Sequence, residues 1–226
     1  MSRRARKVLV LDVGGNHVKM LVIGQTEARR FDSGPALTPA QLVERVQAQT
    51  EDWPHDVISL GYPGLVLHGR IAAEPHNLGA GWVGFDLEAA FGCPVRVIND
   101  AAMQALGSYE GGRMLFLGLG TGLGSAMIVD GRLEPMELAH LPYKKGRSFE
   151  DYVGDAGLAR RGRKRWERHV WEVVTQLRAA LLPDTVVVGG GNARKLHQVP
   201  EDVVLGTNEH AFTGGLRLWQ GRGAKR

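Results

Sequence analysis

Two acids, Asp12 and Asp100, each follow a short apolar run and each lead into a turn or helix start that favours anions. Asp12 ends VLVLD and opens onto Gly14-Gly15-Asn16, with Lys19 close behind. A carboxylate at a strand end beside such a turn suits a Mg²⁺ bridge, commonly through water. Lys19 adds a point charge within reach of a transferred phosphate, and the Asn16 amide adds a donor. A surface hairpin with an Asp-initiated turn would use the same residues. Asp100 follows VRVIN and precedes AAMQALG. It suits a general base toward a substrate hydroxyl, and it equally suits the N-cap of the following helix. Asn99 beside it offers a donor and an acceptor to neighbouring hydroxyls.

Two further glycine-rich segments have no acid of this kind. Leu117 to Gly124 reads LGLGTGLG. It contains no Gly-x-Gly-x-x-Gly and is followed by SAMIVDG, which alternates like a strand, so neither a dinucleotide loop nor a P-loop fits. A glycine turn between strands still exposes successive N–H groups to phosphate oxygens, around Thr121 and Gly122. Gly189-Gly190-Gly191-Asn192 closes a strand and is predicted to open a helix over Asn192 to Leu196, a second anion-favouring end. Together the segments predict phosphoryl transfer to a hydroxyl of a sugar. Glu137 and His140, then Glu150, are polar enough to meet sugar hydroxyls. Asn77 and Trp82, in EPHNLGAGWVG, offer a polar contact and an apolar wall or core plug.

The elements that must position these groups follow from periodicity. Val8–Leu11 and Val18–Ile23 are predicted strands around a tight turn whose Gly and Asn tolerate positive φ. A third strand follows at Arg30–Phe31. A helix over Leu37–Trp53 is predicted with Thr38 as N-cap, Pro39 in the first turn and Gln41 completing a capping box. Strands are expected at Asp56–Leu60 and Val95–Ile98, a hairpin around His68-Gly69, and helices at Leu87–Phe91 and Ala101–Tyr109. The pattern restarts with Met114–Leu117 and Ser125–Val129. Phe149–Leu182 is mostly helical, with a break expected between Gly154 and Gly162. Thr185–Val188 is a strand and Ala211–Trp219 a last helix. Two copies of one strand-hairpin-then-βαβ unit imply an α/β fold of two similar lobes facing a cleft, 1–107 and 108–226.

The bulk properties agree. The chain has 226 residues, net charge +4 and a 43% hydrophobic share, ordinary for an α/β protein. No apolar run reaches about 18 residues, so no membrane span is expected. A single cysteine, Cys93, excludes a disulfide framework or a cysteine-built zinc site within one chain and points to the cytoplasm. The basic start MSRRARK reads as a solvated tail. Arg160 to Arg168, RRGRKRWER, is a candidate lane for a polyanion; on a helix Arg161, Arg165 and Arg168 share one face. A solvated helix face accounts for the same charges.

The order LDVGGN, GYPG, VINDA, GLGTGLG, ELAH and GGGNA resembles the ROK sugar kinases, and within them the polyphosphate-using branch. The resemblance covers roughly residues 7 to 219. It implies the actin-like ATPase (ribonuclease H-like) fold and transfer from ATP or polyphosphate to the 6-hydroxyl of glucose, with Mg²⁺, usually in a homodimer. It puts Asp100 in the role of catalytic base and Gly64, Asn77, Asn99, Glu137, His140 and Glu150 at the sugar. Asp12, Gly14, Gly15, Asn16, Lys19, Thr121 and Gly122 fall on phosphate and metal contacts, with Gly190, Gly191 and Asn192 near the nucleotide. Many relatives carry a zinc-binding cysteine cluster after the His. Here that stretch reads LPYKKGRSFEDY, so no zinc is expected and the loop must be held by packing. No N-terminal helix-turn-helix is present, so no nucleic-acid partner is expected.

Overall fold

The computed structural model describes residues 6–207 and 209–220; most of the basic tail, residues 1–5, lies outside them. The chain divides into two compact units, Met1–Met103 with Ala211–Arg226, and Gln104–His210.

The first unit is built on a five-stranded sheet of order β3-β2-β1-β4-β7. Its strands are β1 (Val8–Val13), β2 (His17–Val22), β3 (Arg29–Asp32), β4 (Val57–Tyr62) and β7 (Val95–Asn99). β1 and β4 are buried along their whole length, as expected of near-continuous apolar runs in an inner parallel pair. Helix α1 (Pro39–Gln49) starts with the predicted capping box: Thr38 Oγ1 accepts from Gln41 N, and Gln41 Oε1 accepts from Thr38 N. It buries Leu42, Val43 and Val46 against Leu9, Leu11, Leu60 and Trp82 in one core. A short hairpin, β5 (Val66–Leu67) and β6 (Arg70–Ile71), turns on His68 and Gly69, both at positive φ, as a type I′ turn demands. Helix α2 (Leu87–Phe91) precedes β7, and α3 (Asp100–Ser108) follows it directly.

The second unit repeats the plan. Its sheet has order β10-β9-β8-β11-β12, from β8 (Arg113–Leu119), β9 (Leu123–Val129), β10 (Arg132–Met136), β11 (Thr185–Gly189) and β12 (Val203–Leu205). In each sheet the first three strands are antiparallel neighbours and the last two add in parallel. The helices are α4 (Glu150–Val153), α5 (Asp155–Arg161) and α6 (Arg163–Leu181). α6 buries Trp166, Val170, Val173, Val174 and Leu177, the stripe of a 3.6-residue period, over Leu117, Leu119 and Val188. The Trp166 indole N–H donates to Val153 O at 2.7 Å.

Several expectations change. The last helix, α7 (His210–Arg217), packs from Ala211 onward with the first unit, whereas the sequence was divided once, after residue 107. Ser59 Oγ donates to Gly215 O at 2.6 Å and Trp219 Nε1 donates to Ser59 Oγ at 2.9 Å. Asn192–Leu196 is not a helix but a single 3₁₀ turn, Ala193–Lys195; with so few aligned peptides it has no macrodipole to offer an anion. The basic run is interrupted: Gly162 sits at φ +70° and separates α5 from α6. Arg161 therefore does not share a helix face with Arg165 and Arg168.

Candidate active site

Within the first unit the strand register brings the two acids to the carboxyl-terminal ends of strands in one sheet. Asp12 on β1 pairs with Gly61 on β4, and Gly61 pairs with Ile98 on β7, two residues before Asp100. Registered partners project to the same face. On that face Gly61 leaves room for the start of α3: a Cβ there would meet Met103 Cε at 2.5 Å and the Asp100 Cα at 3.4 Å. Asp12 and the first residue of α3 thus flank the strip that Gly61 keeps bare.

Asp100 is the first residue of α3, not its cap. The cap is Asn99, whose Oδ1 accepts from Ala102 N at 3.1 Å, while its Nδ2 donates to Gly64 O at 3.1 Å. One amide hydrogen and one lone pair of Asn99 then remain for a ligand. Asp100 Oδ1 accepts from the adjacent Ala101 N at 2.8 Å. Asp12 is 8% exposed. Burial pushes its carboxyl above the usual range, and the Lys19 ammonium, paired with it across the strands at 3.8 Å, pulls the other way.

The turn Gly14–Asn16 has its carbonyls tied back. Ser33 Oγ donates to Gly14 O at 2.6 Å, and Ser33 N donates to Asn16 O at 2.9 Å. Among the described residues the N–H groups of Gly15 and Asn16 meet no acceptor. None of these residues has positive φ, contrary to the expectation for a tight turn. Gly15 is needed for close approach instead, because a Cβ there would meet the Asn77 Cβ at 3.0 Å. The loop bearing Asn77 is pinned by Glu74, whose carboxylate accepts from Gly81, Trp82 and Val83 N at 3.0–3.1 Å. Trp82 is a core plug, fully buried with its ring 5.4 Å from that of Tyr62.

The second unit repeats this design. Gly120-Thr121-Gly122 closes β8 and β9, and the carbonyls again point back: Asp155 N donates to Gly120 O at 3.1 Å and Thr121 O at 3.2 Å, and Asn192 Nδ2 donates to Gly120 O at 3.1 Å. Asn192 is buried, and its Nδ2 also donates to Asp155 Oδ1 at 2.7 Å. Its amide therefore shapes the turn. The Thr121 and Gly122 N–H groups meet no acceptor among the described residues. Gly190, at φ +83°, lies against Leu119, where a Cβ would be 2.7 Å from the backbone N.

Glu150 lies beside this turn. Its Oε2 accepts from Leu123 N at 3.2 Å, and a Cβ on Gly122 would sit 2.9 Å from its Cδ. Glu137 and His140 form an exposed pair at 3.8 Å, positioned by Ser125, whose Oγ donates to Met136 O and accepts from Leu138 N. Arg161 stacks on Tyr152 at 3.7 Å and donates to Asp151 O; Arg165 and Arg168 are exposed on α6. Asp155 and Glu74 escaped the sequence reading. Asp155 had a faint signal, an acid directly after the Gly154 that breaks the helical run; Glu74 had none, because its partners are backbone groups.

The ROK family model matches residues 8–135, more than half of the chain. Polyphosphate glucokinase of Mycobacterium tuberculosis is 27% identical over 208 residues, covering 82% of this chain and 77% of the relative. N-acetylmannosamine kinase of Salmonella typhimurium is 28% identical over 141 residues, covering 55% and 48%. Among solved structures, the inorganic polyphosphate/ATP-glucomannokinase of Arthrobacter sp. strain KM superposes with a TM-score of 0.82 at 24% identity, over 95% of this chain and 98% of that one. This chain has the actin-like ATPase fold, and it belongs to the ROK family.

Proposed function

We propose that the chain is a hexokinase-type sugar kinase that transfers a phosphoryl group from polyphosphate or ATP to the 6-hydroxyl of glucose. The observation that carries this reading is the paired design of the two turns: each ties its carbonyls back and leaves two N–H groups for phosphate oxygens. The first follows the carboxyl-terminal end of β1, where the register also brings Asp12 and the start of α3. In this reading Asp100 accepts the hydroxyl proton as the new O–P bond forms and the bond to the leaving phosphate breaks. Gly64, Asn77, Asn99, Glu137, His140 and Glu150 meet sugar hydroxyls. Gly14, Gly15, Asn16 and Lys19 serve phosphate from the first unit, and Thr121, Gly122, Gly190 and Gly191 from the second, with Asn192 shaping the second turn.

Mg²⁺ fits one residue above all. Asp12 is a buried acid paired among the described residues with one cation, Lys19 at 3.8 Å, and a carboxylate so placed is stabilised by a further positive charge. No group of three or more His, Cys, Asp or Glu side chains able to hold a metal occurs among the described residues. The fit is therefore to an ion held largely by phosphate oxygens and water, as Mg²⁺ prefers. When bound, such an ion neutralises charge on the donor phosphates.

Where the donor is polyphosphate, Arg165 and Arg168 form the lane, without Arg161. The chain acts as a homodimer in the cytoplasm in this reading; among the described residues no helix is long and apolar enough to cross a membrane. The test is a panel of sugars against ATP and polyphosphate with purified protein. Glucose-dependent transfer is expected. Sugar binding without transfer to any sugar would make the chain a sensor and overturn the proposal.

A further inference from the structure

The hairpin between His140 and Glu150 is held by more than apolar packing, which was all that its lack of cysteine suggested. Its arms pair through Phe149 N to Leu141 O at 3.1 Å and a bridge between Pro142 and Ser148. Its tip closes with Arg147 N donating to Lys144 O at 3.1 Å. Lys145 and Gly146 are both at positive φ, 55° and 69°, so the tip is a type I′ turn. A lysine with left-handed backbone costs about 1–2 kcal/mol, and such a conformation persists only where its surroundings over-determine it.

Those surroundings lie on α6. The Glu172 carboxylate accepts from both the Tyr143 hydroxyl and the Lys144 ammonium. His169 Nδ1 stands 3.1 Å from the same hydroxyl and 3.4 Å from the same carboxylate. The Tyr143 ring meets Tyr152 edge-on at 4.9 Å and Phe149 at 5.4 Å. The Lys144 and Tyr143 bonds draw the Glu172 carboxyl down to about 2. Ser148 completes the exit, with its N and Oγ donating to Asp151 Oδ2 at 3.0 and 3.2 Å at the start of α4.

The hairpin's position in the chain gives this cluster its consequence. The residue before the hairpin is His140, three after Glu137, and the residue after it is Glu150. We propose that Glu172 is a positioning residue for sugar binding: by gripping Tyr143 and Lys144 it fixes the separation of the Glu137–His140 pair from Glu150. This rests on the sugar-contact roles given above to those three residues. Glu172 touches no substrate in this account, and its effect passes through the hairpin. Charge-assisted bonds are the stronger kind, and losing one shared carboxylate loosens both of its partners.

Two variants test it. Tyr143→Phe keeps the ring stack and removes the hydroxyl; Glu172→Gln keeps the size and removes the charge. Each is expected to speed tryptic cutting of the native protein at Lys144, Lys145 and Arg147 by at least about fivefold, since cleavage follows the population of locally opened loop. Each should raise the glucose KM by about tenfold, the scale of one charge-assisted hydrogen bond, with kcat and the KM for the phosphoryl donor within about twofold. The double variant should be little worse than Glu172→Gln alone, because loss of the carboxylate charge already loosens both Tyr143 and Lys144. Unchanged cutting overturns the latch. Faster cutting with an unmoved glucose KM, or an equal rise in both KM values, overturns the positioning role. Should the wild type transfer no phosphate, the kinase reading has failed separately, and the glucose Kd by calorimetry then replaces KM in the same comparison. If the wild type binds none of the sugars either, the positioning role falls with the sugar-site reading, and the cutting rates alone decide the latch.

Discussion

Replacing Asp100 with asparagine separates the chemistry of this residue from its place in the fold. The substitution is close to isosteric, and an asparagine Oδ1 can still accept from Ala101 N, which now lies 2.8 Å from the carboxylate. The cap of α3 is untouched, because it belongs to Asn99 and Ala102. A Cβ on Gly61 would meet the Asp100 Cα at 3.4 Å, and this backbone approach does not depend on the Asp100 side chain. Among the structural losses is one negative charge in the first turn of a helix, worth about 0.3–1 kcal/mol. For a chain of this size that corresponds to about 1–4 °C in Tm, at roughly 2–4 °C per kcal/mol. What is lost chemically is the proton acceptor, worth about 10²–10⁴ in rate. The assay is formation of glucose 6-phosphate at saturating donor, with glucose binding measured by calorimetry on the same protein. The expected result is a kcat reduced by at least about a hundredfold, with binding within about threefold, on a protein that still unfolds in one cooperative transition. A loss of less than about tenfold would remove Asp100 from the role of base.

Other perturbations reach the remaining parts of the site. Burial raises the Asp12 carboxyl, so its contribution to stability is fully present below the ordinary carboxylate range and is lost as pH rises through the raised value; Asp12→Asn should flatten that decline in a ligand-free Tm series from acid to neutral pH, while cutting transfer by at least about a hundredfold. Gly190→Ala combines φ +83° with a Cβ 2.7 Å from the Leu119 backbone N; left-handed strain and overpacking together cost roughly 2–5 kcal/mol, read as a Tm lower by at least about 4 °C. Arg165→Ala with Arg168→Ala should raise the KM for polyphosphate several-fold and leave that for ATP within about twofold, since a long polyanion alone gains from a distant cationic face. Arg161→Ala should instead lower Tm, because this side chain covers Tyr152 at 3.7 Å and donates to Asp151 O.

The sequence was most legible where one face or a whole strand is buried. VLVL and VISL read as strands because they are short apolar runs broken only by Ser59, and the strands that contain them are buried throughout. The capping box of α1 was legible because it is local, with Thr38 and Gln41 three residues apart. β10, RLEPM, and β12, VVL, were missed. The first is a half-exposed edge strand containing Pro135, which demotes any strand pattern, and the second has only three residues at the other edge. The basic stretch was misread for a different reason. A helical wheel assumes an unbroken helix, and Gly162 changes the phase between Arg161 and Arg165. The partners that shape the site were beyond local reading altogether. Asp155 and Asn192 meet across 37 positions in sequence, and Glu74 is engaged only by backbone N–H groups.

The repeated sheet explains why the two glycine turns are chemically unequal. In the first sheet the residue before the turn-closing pair is Asp12, and its parallel partner is Gly61. The same places in the second sheet are held by Gly118 and Gly189. The bare strip is thus present in both copies, and the acid in only one. Beside Asp12 a phosphate would face a like charge unless a cation intervenes, and Lys19 at 3.8 Å compensates it in part. Around Gly120-Thr121-Gly122 no carboxylate occupies the equivalent strand position, and Glu150 is engaged by Leu123 N. Among the described residues the Thr121 and Gly122 N–H groups meet no acceptor, and with the Thr121 hydroxyl they offer donors to an anion, with the Glu150 carboxylate beside them. In the proposed reading, the repeated turn geometry thus gives a phosphate site with an acid on the strand beside it in the first unit and one without that acid in the second.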